Sequence, residues 1–212
     1  MTTRYQTVLL FGAPGVGKGT QGKILAQIPG FYHMSTGDMF RTLDVHSSAG
    51  QEIIRYMSRG ELVPDELTVR LWRENAKARA VLSLYKPHQD ILILDGIPRN
   101  VNQAKMIEQD VNVLAIVHLV CRDQDEMVKR LRGRALKENR RDDAKEEVIR
   151  HRWRVYEEET SPVLAHYPRD LIHEVDAMGS PACVLQHILE EIVPVQSAHF
   201  HNPATGEAIV AH

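Results

Sequence analysis

The sequence has little cysteine, no long apolar run and almost no excess of charge of either sign. Its two cysteines, Cys121 and Cys183, form no C-x-x-C pair, so neither a zinc site nor a disulfide framework is predicted, and we expect both to be small buried side chains. No run approaches the roughly 18 apolar residues needed to span a membrane, and the opening segment MTTRYQTVLL has no long apolar stretch of the secretory type. The net charge of −2 at pH 7 gives no indication of a nucleic-acid-binding surface. We therefore expect a cytoplasmic protein that binds neither membranes nor nucleic acids.

Four short apolar runs, separated by helical patterns, indicate an α/β protein. The runs are rich in Val, Ile and Leu, which is typical of strands in a parallel sheet covered on both faces. They lie at residues 7–11, 90–95, 111–120 and 170–176. Apolar residues recurring every three or four positions predict helices at 124–136, 145–160 and 181–193. With 212 residues, of which 43% are hydrophobic, the chain is long enough for a single domain over residues 1–212.

Three segments depart from this alternation of strands and helices. Residues 35–79 have helical patterns and no apolar run of the strand type. Residues 133–144, GRALKENRRDDA, predict a polar, charged bend between two helices. The helical periodicity is lost after Pro194, so residues 197–212 are predicted to form a loose tail or an addition at the edge, of unknown role.

The clearest motif is the glycine-rich segment GAPGVGKGT at residues 12–20, which fits G-x-x-x-x-G-K between a predicted strand and a predicted helix. Glycines here let the backbone turn tightly and direct its N–H groups at phosphate oxygens, and the helix N-terminus adds partial positive charge. Lys18 adds a full charge, whereas Gly19 stands where the general motif has Ser or Thr, with the hydroxyl one place later at Thr20. The segment therefore predicts a site for a nucleotide polyphosphate; the competing interpretation is a glycine-rich turn with a surface lysine.

Together with four further motifs, this loop resembles the adenylate kinases. The motifs are STGDMFR (35–41), GELVPDE (60–66), LDGIPRNVNQ (94–103) and RRDDA (140–144), and the resemblance covers roughly residues 7–193. It implies a three-layer P-loop NTPase fold with a five-stranded parallel sheet, a helical NMP-binding arm at 35–64 and a short lid at 133–143. The implied reaction is reversible phosphoryl transfer from MgATP to AMP, giving two ADP. In this reaction the protein mainly aligns the substrates and stabilises charge, for which arginine is well suited.

The resemblance assigns roles to individual residues. The ATP phosphates would be bound by the loop residues Gly12, Gly15, Val16, Gly17, Lys18, Gly19 and Thr20. Also on the ATP side, Arg130 would lie against the adenine and Arg134 would reach the transferring group. AMP would be bound by Thr36, Arg41, Met57, Glu61, Val63, Gly96, Arg99, Gln103, Arg140 and Arg152. The catalytic set would be Lys18, Arg99, Arg134, Arg140 and Arg152. Asp95, with Asp38 assisting, would orient Mg²⁺ through water, and a lid this short implies no zinc site.

Several of these assignments have alternatives. The lid arginine is Arg140 when the pattern is counted forward from Arg134 and Arg141 when it is counted back from Arg152; we prefer Arg140. Asp142 and Asp143 resemble the acidic pair that closes the lid. Arg130 and Arg134 lie one helical turn apart and could equally form an exposed basic stripe. Asp95 could instead cap a helix.

The identity of the monophosphate depends on residues near the base. Thr36 and Gln103 occupy positions typical of adenylate kinases, and an amide can accept from an amino group and donate to a ring nitrogen. Asn100 is typical of the related uridylate–cytidylate kinases, so a UMP/CMP kinase is the alternative. On the donor side the sequence leaves ATP and GTP open. A non-kinase nucleotide switch is a more remote alternative, although the N-K-x-D guanine motif of Ras-type GTPases is absent. We expect a monomer.

Overall fold

The structure, a computed structural model, describes residues 4–138 and 145–199. Its strands are β1 (Tyr5–Phe11), β2 (Phe31–Ser35), β3 (Ile91–Asp95), β4 (Val111–Val120) and β5 (Ile172–Asp176). Its helices are α1 (Lys18–Leu25), α2 (Thr36–Arg41), α3 (Ser48–Arg59), α4 (Asp65–Val81), α5 (Val101–Ile107), α6 (Gln124–Glu138), α7 (Glu146–Val155) and α8 (Pro181–His199). After α7 the chain continues through a π-helical turn, Tyr156–Thr160, and the 3₁₀ turns Ser161–His166 and Arg169–Leu171.

The five strands form one parallel sheet in the order β2-β3-β1-β4-β5. Because every strand points the same way, the carboxyl ends of β1, β2 and β3 meet at one edge, where Leu10 and Ser35 both pair with Asp95. In open α/β sheets this edge is where ligands bind. The fold confirms the α/β, five-stranded parallel architecture expected from the sequence.

Helices cover both faces of the sheet, and alternate residues of the central strand pack against different layers. Val8 and Leu10 of β1 are buried in a core that also holds residues of α1, α6 and α8. Leu9 and Phe11 belong to the opposite core, which includes the fully buried Trp72 of α4. This alternation explains why the strands are apolar at nearly every position. A third, small cluster of buried residues, Ile53, Val63 and Leu67, connects α3 to α4.

The four apolar runs are strands as predicted, but no apolar run indicated β2. This strand lies at the edge of the sheet, and only Phe31 and Met34 of its five residues are buried. Between them lie Tyr32, which is partly buried, and the polar His33, so the apolar periodicity is short and incomplete.

Two helices are longer than the sequence pattern indicated. Helix α6 reaches Glu138, so residues 133–138 are helical and the predicted bend does not begin at 133. Helix α8 passes through Pro194 and ends at His199, so the predicted loose tail begins with three helical residues. Beyond the proline, Val195 packs on the core and Gln196 Nε2 donates to the carbonyl of Pro29 at 2.9 Å. These tertiary contacts stabilise the helix past a residue that normally disrupts one.

Some predicted features fall outside the described residues. They include Arg140, Arg141, Asp142 and Asp143 of the lid motif and the tail from 200 onward. The expectation for Cys183 was wrong, because its side chain is exposed, and Cys121 is only partly buried. Among the helices that the structure describes, none combines the length and the apolar character that crossing a bilayer requires.

Candidate active site

The glycine-rich loop connects β1 to α1 at the ligand-binding edge of the sheet. Gly12 has a φ of +140°, and a Cβ at this position would lie 2.5 Å from the carbonyl oxygen of Leu119, so only glycine fits. Gly17 has a φ of +110° and directly precedes the first turn of α1. Val16 is 2% exposed and fixes the loop to the core. The loop therefore presents the N-terminus of α1, where the first N–H groups of a helix have no acceptor within the helix, toward the space above the sheet.

Lys18 lies among other cations in this space. Its Nζ donates to the carbonyl oxygens of Gly12 at 2.6 Å and Ala13 at 3.2 Å. The pKa of Lys18 is lowered to about 8, mainly by burial; the Asp95 carboxylate raises this pKa, and the nearby Arg99, Arg134 and Arg152 lower it. A concentration of positive charge this strong around one small space is suited to a multiply charged anion.

Asp95 ends β3 directly beneath the loop and is 7% exposed. Burial by itself would raise the pKa of this carboxyl, but the His33 side chain, Lys18 and Arg99 together hold it below its usual value. The His33 ring lies 3.8 Å from Asp95 Oδ2, on the side facing β2. A Cβ on Gly19 would lie 3.8 Å from the same carboxylate, so the first turn of α1 leaves space beside it. Asp95 is thus a buried, ionised carboxylate next to the phosphate loop, and it does not act as a helix cap.

Two adjoining cavities open at this edge of the sheet. The first is lined by the loop and by the turn after α7, including Gly12, Pro14, Lys18 and Tyr156. The second lies between α2, α3 and α5, and its lining includes these residues: Gly37, Phe40, Arg41, Met57, Glu61, Val63, Thr68 and Gln103. Gly60, Leu62, Gly96, Arg99 and Arg152 line both cavities. The two arginines therefore stand between the two compartments.

The structure brings together most of the predicted site residues that it describes. Eight of the predicted AMP-binding residues line the second cavity: Arg41, Met57, Glu61, Val63, Gly96, Arg99, Gln103 and Arg152. Thr36 lies just behind this wall, where a Cβ on Gly96 would approach its Oγ1 to 2.5 Å. Thr20 is exposed on the first turn of α1. Asp38 contacts Arg41 at 3.3 Å and Lys23 at 3.6 Å, so its carboxylate is already engaged by two cations.

Arg130 and Arg134 both lie on α6. Arg130 donates to Glu126 at 3.1 Å and to the carbonyl of Ala177 at 3.1 Å, so its guanidinium is held at the end of β5. Arg134 is close enough to Lys18 to lower the pKa of that lysine. Arg130 therefore has two hydrogen-bond partners, and Arg134 is electrostatically coupled to the phosphate loop.

Several residues that sequence analysis did not assign to the site contact it. Trp153 Nε1 donates to the carbonyl of Pro14 at 3.2 Å and so connects α7 to the phosphate loop. Tyr156 lines the first cavity, and its hydroxyl lies 3.1 Å from His118 Nε2 of β4. Thr160 Oγ1 donates to the carbonyl of Arg99. These contacts join residues far apart in the chain and leave no local signal in the sequence.

Comparison with known proteins identifies the family to which this arrangement belongs. A family model described as adenylate kinase matches residues 10–172. A curated adenylate kinase of Kocuria rhizophila is 37% identical over 195 residues, covering 88% of this chain and 96% of that protein. One of Thermobifida fusca is 42% identical over 178 residues, covering 81% and 90%. One of Thermus thermophilus is 38% identical over 183 residues, covering 83% and 91%. The chain belongs to the adenylate kinase family.

Proposed function

We propose that this protein catalyses the reversible transfer of a phosphoryl group from MgATP to AMP, giving two ADP. The observation that carries the proposal is the shared wall of the two cavities. One compartment contains the phosphate loop, the other contains Gln103, and Arg99 and Arg152 line both. A phosphoryl group passing between the compartments would remain in contact with fixed cations throughout.

The residues would act mainly by alignment and by neutralising charge. Lys18 and the loop amides would bind the donor phosphates, Arg41 and Arg99 the monophosphate, and Arg134 and Arg152 the group in transfer. Phosphoryl transfer spreads negative charge over oxygens that two phosphorylated substrates must bring together, so preorganised cations lower the barrier. Arg140, or Arg141 in the alternative alignment, would complete the set from the lid.

Mg²⁺ would be oriented through water by Asp95, and it would supply charge neutralisation on the donor phosphates. A single buried carboxylate with space beside it suits an ion that keeps most of its own water ligands. Asp38 would assist only after exchanging its contacts with Lys23 and Arg41. Within the described ranges no three His, Cys, Asp or Glu side chains converge in the manner of a structural zinc site.

We further propose that residues 35–64 act as an arm and residues 133–143 as a short lid, and that both close over the substrates. A site that transfers phosphate must exclude water, which would otherwise accept the phosphoryl group. We propose that the protein acts as a monomer, which light scattering after gel filtration would test. The UMP/CMP kinase alternative is not favoured, because the curated relatives are named adenylate kinases.

The test is an assay of ADP formation with MgATP and AMP, repeated with GTP as donor. Arg152→Lys keeps the charge but loses bidentate geometry, and we expect its kcat to fall about a hundredfold. The matched control is Arg150→Lys on the same helix, whose guanidinium is exposed and pairs with Glu146; its kcat should stay within about twofold. Phosphate release from ATP without any acceptor, at the rate seen with AMP, would overturn the kinase proposal.

A further inference from the structure

Asp65 accepts hydrogen bonds from three side-chain amides. Its Oδ1 accepts from Asn100 Nδ2 at 2.9 Å and from Gln103 Nε2 at 2.8 Å, and its Oδ2 accepts from Asn102 Nδ2 at 2.7 Å. Asp65 is the first residue of α4, whereas the three amides surround the start of α5. One carboxylate therefore connects the end of the proposed arm to the element that carries Gln103.

The side-chain amide of Gln103 also forms a hydrogen bond with the main chain. Its Oε1 accepts the main-chain N–H of Arg99 at 2.8 Å, and the side chain is 1% exposed. A main-chain N–H can only donate and a carboxylate can only accept, so the two ends of this amide cannot be exchanged without losing both bonds. A rotation by 180° would place Oε1 against the Asp65 carboxylate and Nε2 against another N–H. Asp65 and Arg99 thus fix the orientation of the Gln103 amide.

A fixed amide presents a fixed pattern to a base in the second cavity. After these two bonds, Oε1 retains one lone pair and Nε2 retains one N–H. Adenine and cytosine match this pattern, because each has an exocyclic amino group beside an unprotonated ring nitrogen. Uracil and guanine have the inverse pattern, a carbonyl oxygen beside a ring N–H. An amide free to rotate could serve either pattern, whereas this one serves only the first.

We propose that Asp65 is a specificity-determining positioning residue, which holds Gln103 in the orientation that accepts amino bases and rejects keto bases. The inference rests on the proposed function, in which Gln103 faces the base of the monophosphate. Asp65 itself acts through Gln103 and touches no substrate.

The same network explains Asn100. Its Oδ1 accepts the main-chain N–H of Gln103 at 2.8 Å, which caps α5, and its Nδ2 donates to Asp65. Both ends of this side chain therefore support Gln103. We therefore expect Asn100 to stabilise the recognition of amino bases by Gln103.

The first test uses the unaltered protein with CMP and UMP, which have the same ring size and differ in the polarity of this edge. We expect kcat/KM to be about tenfold or more higher for CMP than for UMP, because a mismatched pair leaves buried polar groups unpaired. AMP should exceed both. A kcat/KM for UMP equal to or above that for CMP, with AMP activity intact, would overturn this inference and leave the proposed function standing. Absence of activity with AMP would overturn the proposed function, and the inference with it.

The second test is Asp65→Ala, compared with Glu66→Ala. Glu66 is the exposed acidic neighbour in the same first turn of α4, so this control removes a helix-terminal charge without touching the network. We expect Asp65→Ala to reduce the CMP-to-UMP ratio to within about threefold of unity, while Glu66→Ala keeps the original ratio. Asp65→Asn, which has one acceptor oxygen where Asp65 has two, should give a smaller loss in the same direction. An unchanged ratio in a folded Asp65→Ala protein would overturn the inference, since a purely structural role would lower all rates together.

Discussion

Thr160 Oγ1 donates a hydrogen bond of 2.8 Å to the carbonyl oxygen of Arg99. The N–H of the same Arg99 donates to Gln103, and its side-chain Nε donates to the carbonyl of Gly96 at 3.0 Å. The backbone of Arg99 is therefore held between α5 and the turn that follows α7. Arg99 lines both cavities, so the position of its guanidinium there depends on the hydrogen bonds that hold its backbone to α5 and to the turn after α7.

Replacing Thr160 with Val should weaken this attachment without changing the volume of the side chain. Thr160 is 9% exposed, so the Arg99 carbonyl would lose a largely buried donor, and we expect the free energy of unfolding to fall by about 1 kcal/mol. We also expect kcat to fall severalfold, because Arg99 would be less well oriented. Urea unfolding and steady-state kinetics measure the two effects.

The control is Thr42→Val, which removes an exposed hydroxyl bonded to the carbonyl of Met39 at 2.8 Å and should change neither the free energy of unfolding nor kcat appreciably. Equal effects at both positions would contradict the prediction.

The lowered pKa of Lys18 predicts that donor binding weakens in alkaline solution. With a pKa of about 8 in the free protein, most Lys18 side chains are charged at pH 7, whereas about a tenth are charged at pH 9. Bound phosphates favour the charged amine, so affinity should fall as the pH rises through 8. We expect the Kd of a non-hydrolysable Mg–ATP analogue to increase by about tenfold between pH 7 and pH 9, as measured by calorimetry.

The same titration affects stability with a defined sign. Because the pKa of Lys18 is lower in the folded protein than in the unfolded chain, the unfolded chain binds more protons between pH 8 and 10.5. This residue therefore opposes folding most strongly below pH 8, and that contribution disappears as the pH rises toward 10.5. Lys18→Met serves as control for the binding measurement: the affinity of this variant should be low and should not change between pH 7 and pH 9. A wild-type Kd that is equal at the two values would contradict the assignment of Lys18.

Gly22 and His33 provide a third prediction. A Cβ at Gly22 would lie 2.3 Å from His33 Nε2, and the His33 side chain is 7% exposed, so the ring has little space into which to move. We expect Gly22→Ala to lower the free energy of unfolding by about 1–3 kcal/mol and to reduce activity, because the displaced ring would press on Asp95. His33→Ala should remove most of the additional cost. A double-mutant cycle by urea unfolding checks this, and simple additivity would contradict it.

The sequence predicted those features that are determined by residues close together in the chain. The G-x-x-x-x-G-K spacing predicted the loop because the turn and the helix start that follows it are formed by adjacent residues. The apolar runs predicted four of the strands because a sheet covered on both faces requires apolar residues at nearly every position. The resemblance then indicated which arginines would face the site.

Features that depend on distant contacts were not predictable in this way. Strand β2 has only two buried residues, and its position follows from pairing with β3. The continuation of α8 past Pro194 depends on packing and on a bond from Gln196 to Pro29. Asp65 lies between a proline and a glutamate in an ordinary helix start, and its partners are 35 to 38 residues away. Such a role becomes visible only when both elements are placed in space.

The bond between Trp153 and Pro14 also has a spectroscopic consequence. The chain has two tryptophans, and they lie in very different surroundings. The Trp153 indole touches the phosphate loop, where a bound nucleotide would alter its emission, while Trp72 is fully buried in the core on the other side of the sheet. Intrinsic fluorescence therefore combines two tryptophan emissions, and we expect that of Trp153 to respond to occupancy of the loop and that of Trp72 to respond only to loss of the fold.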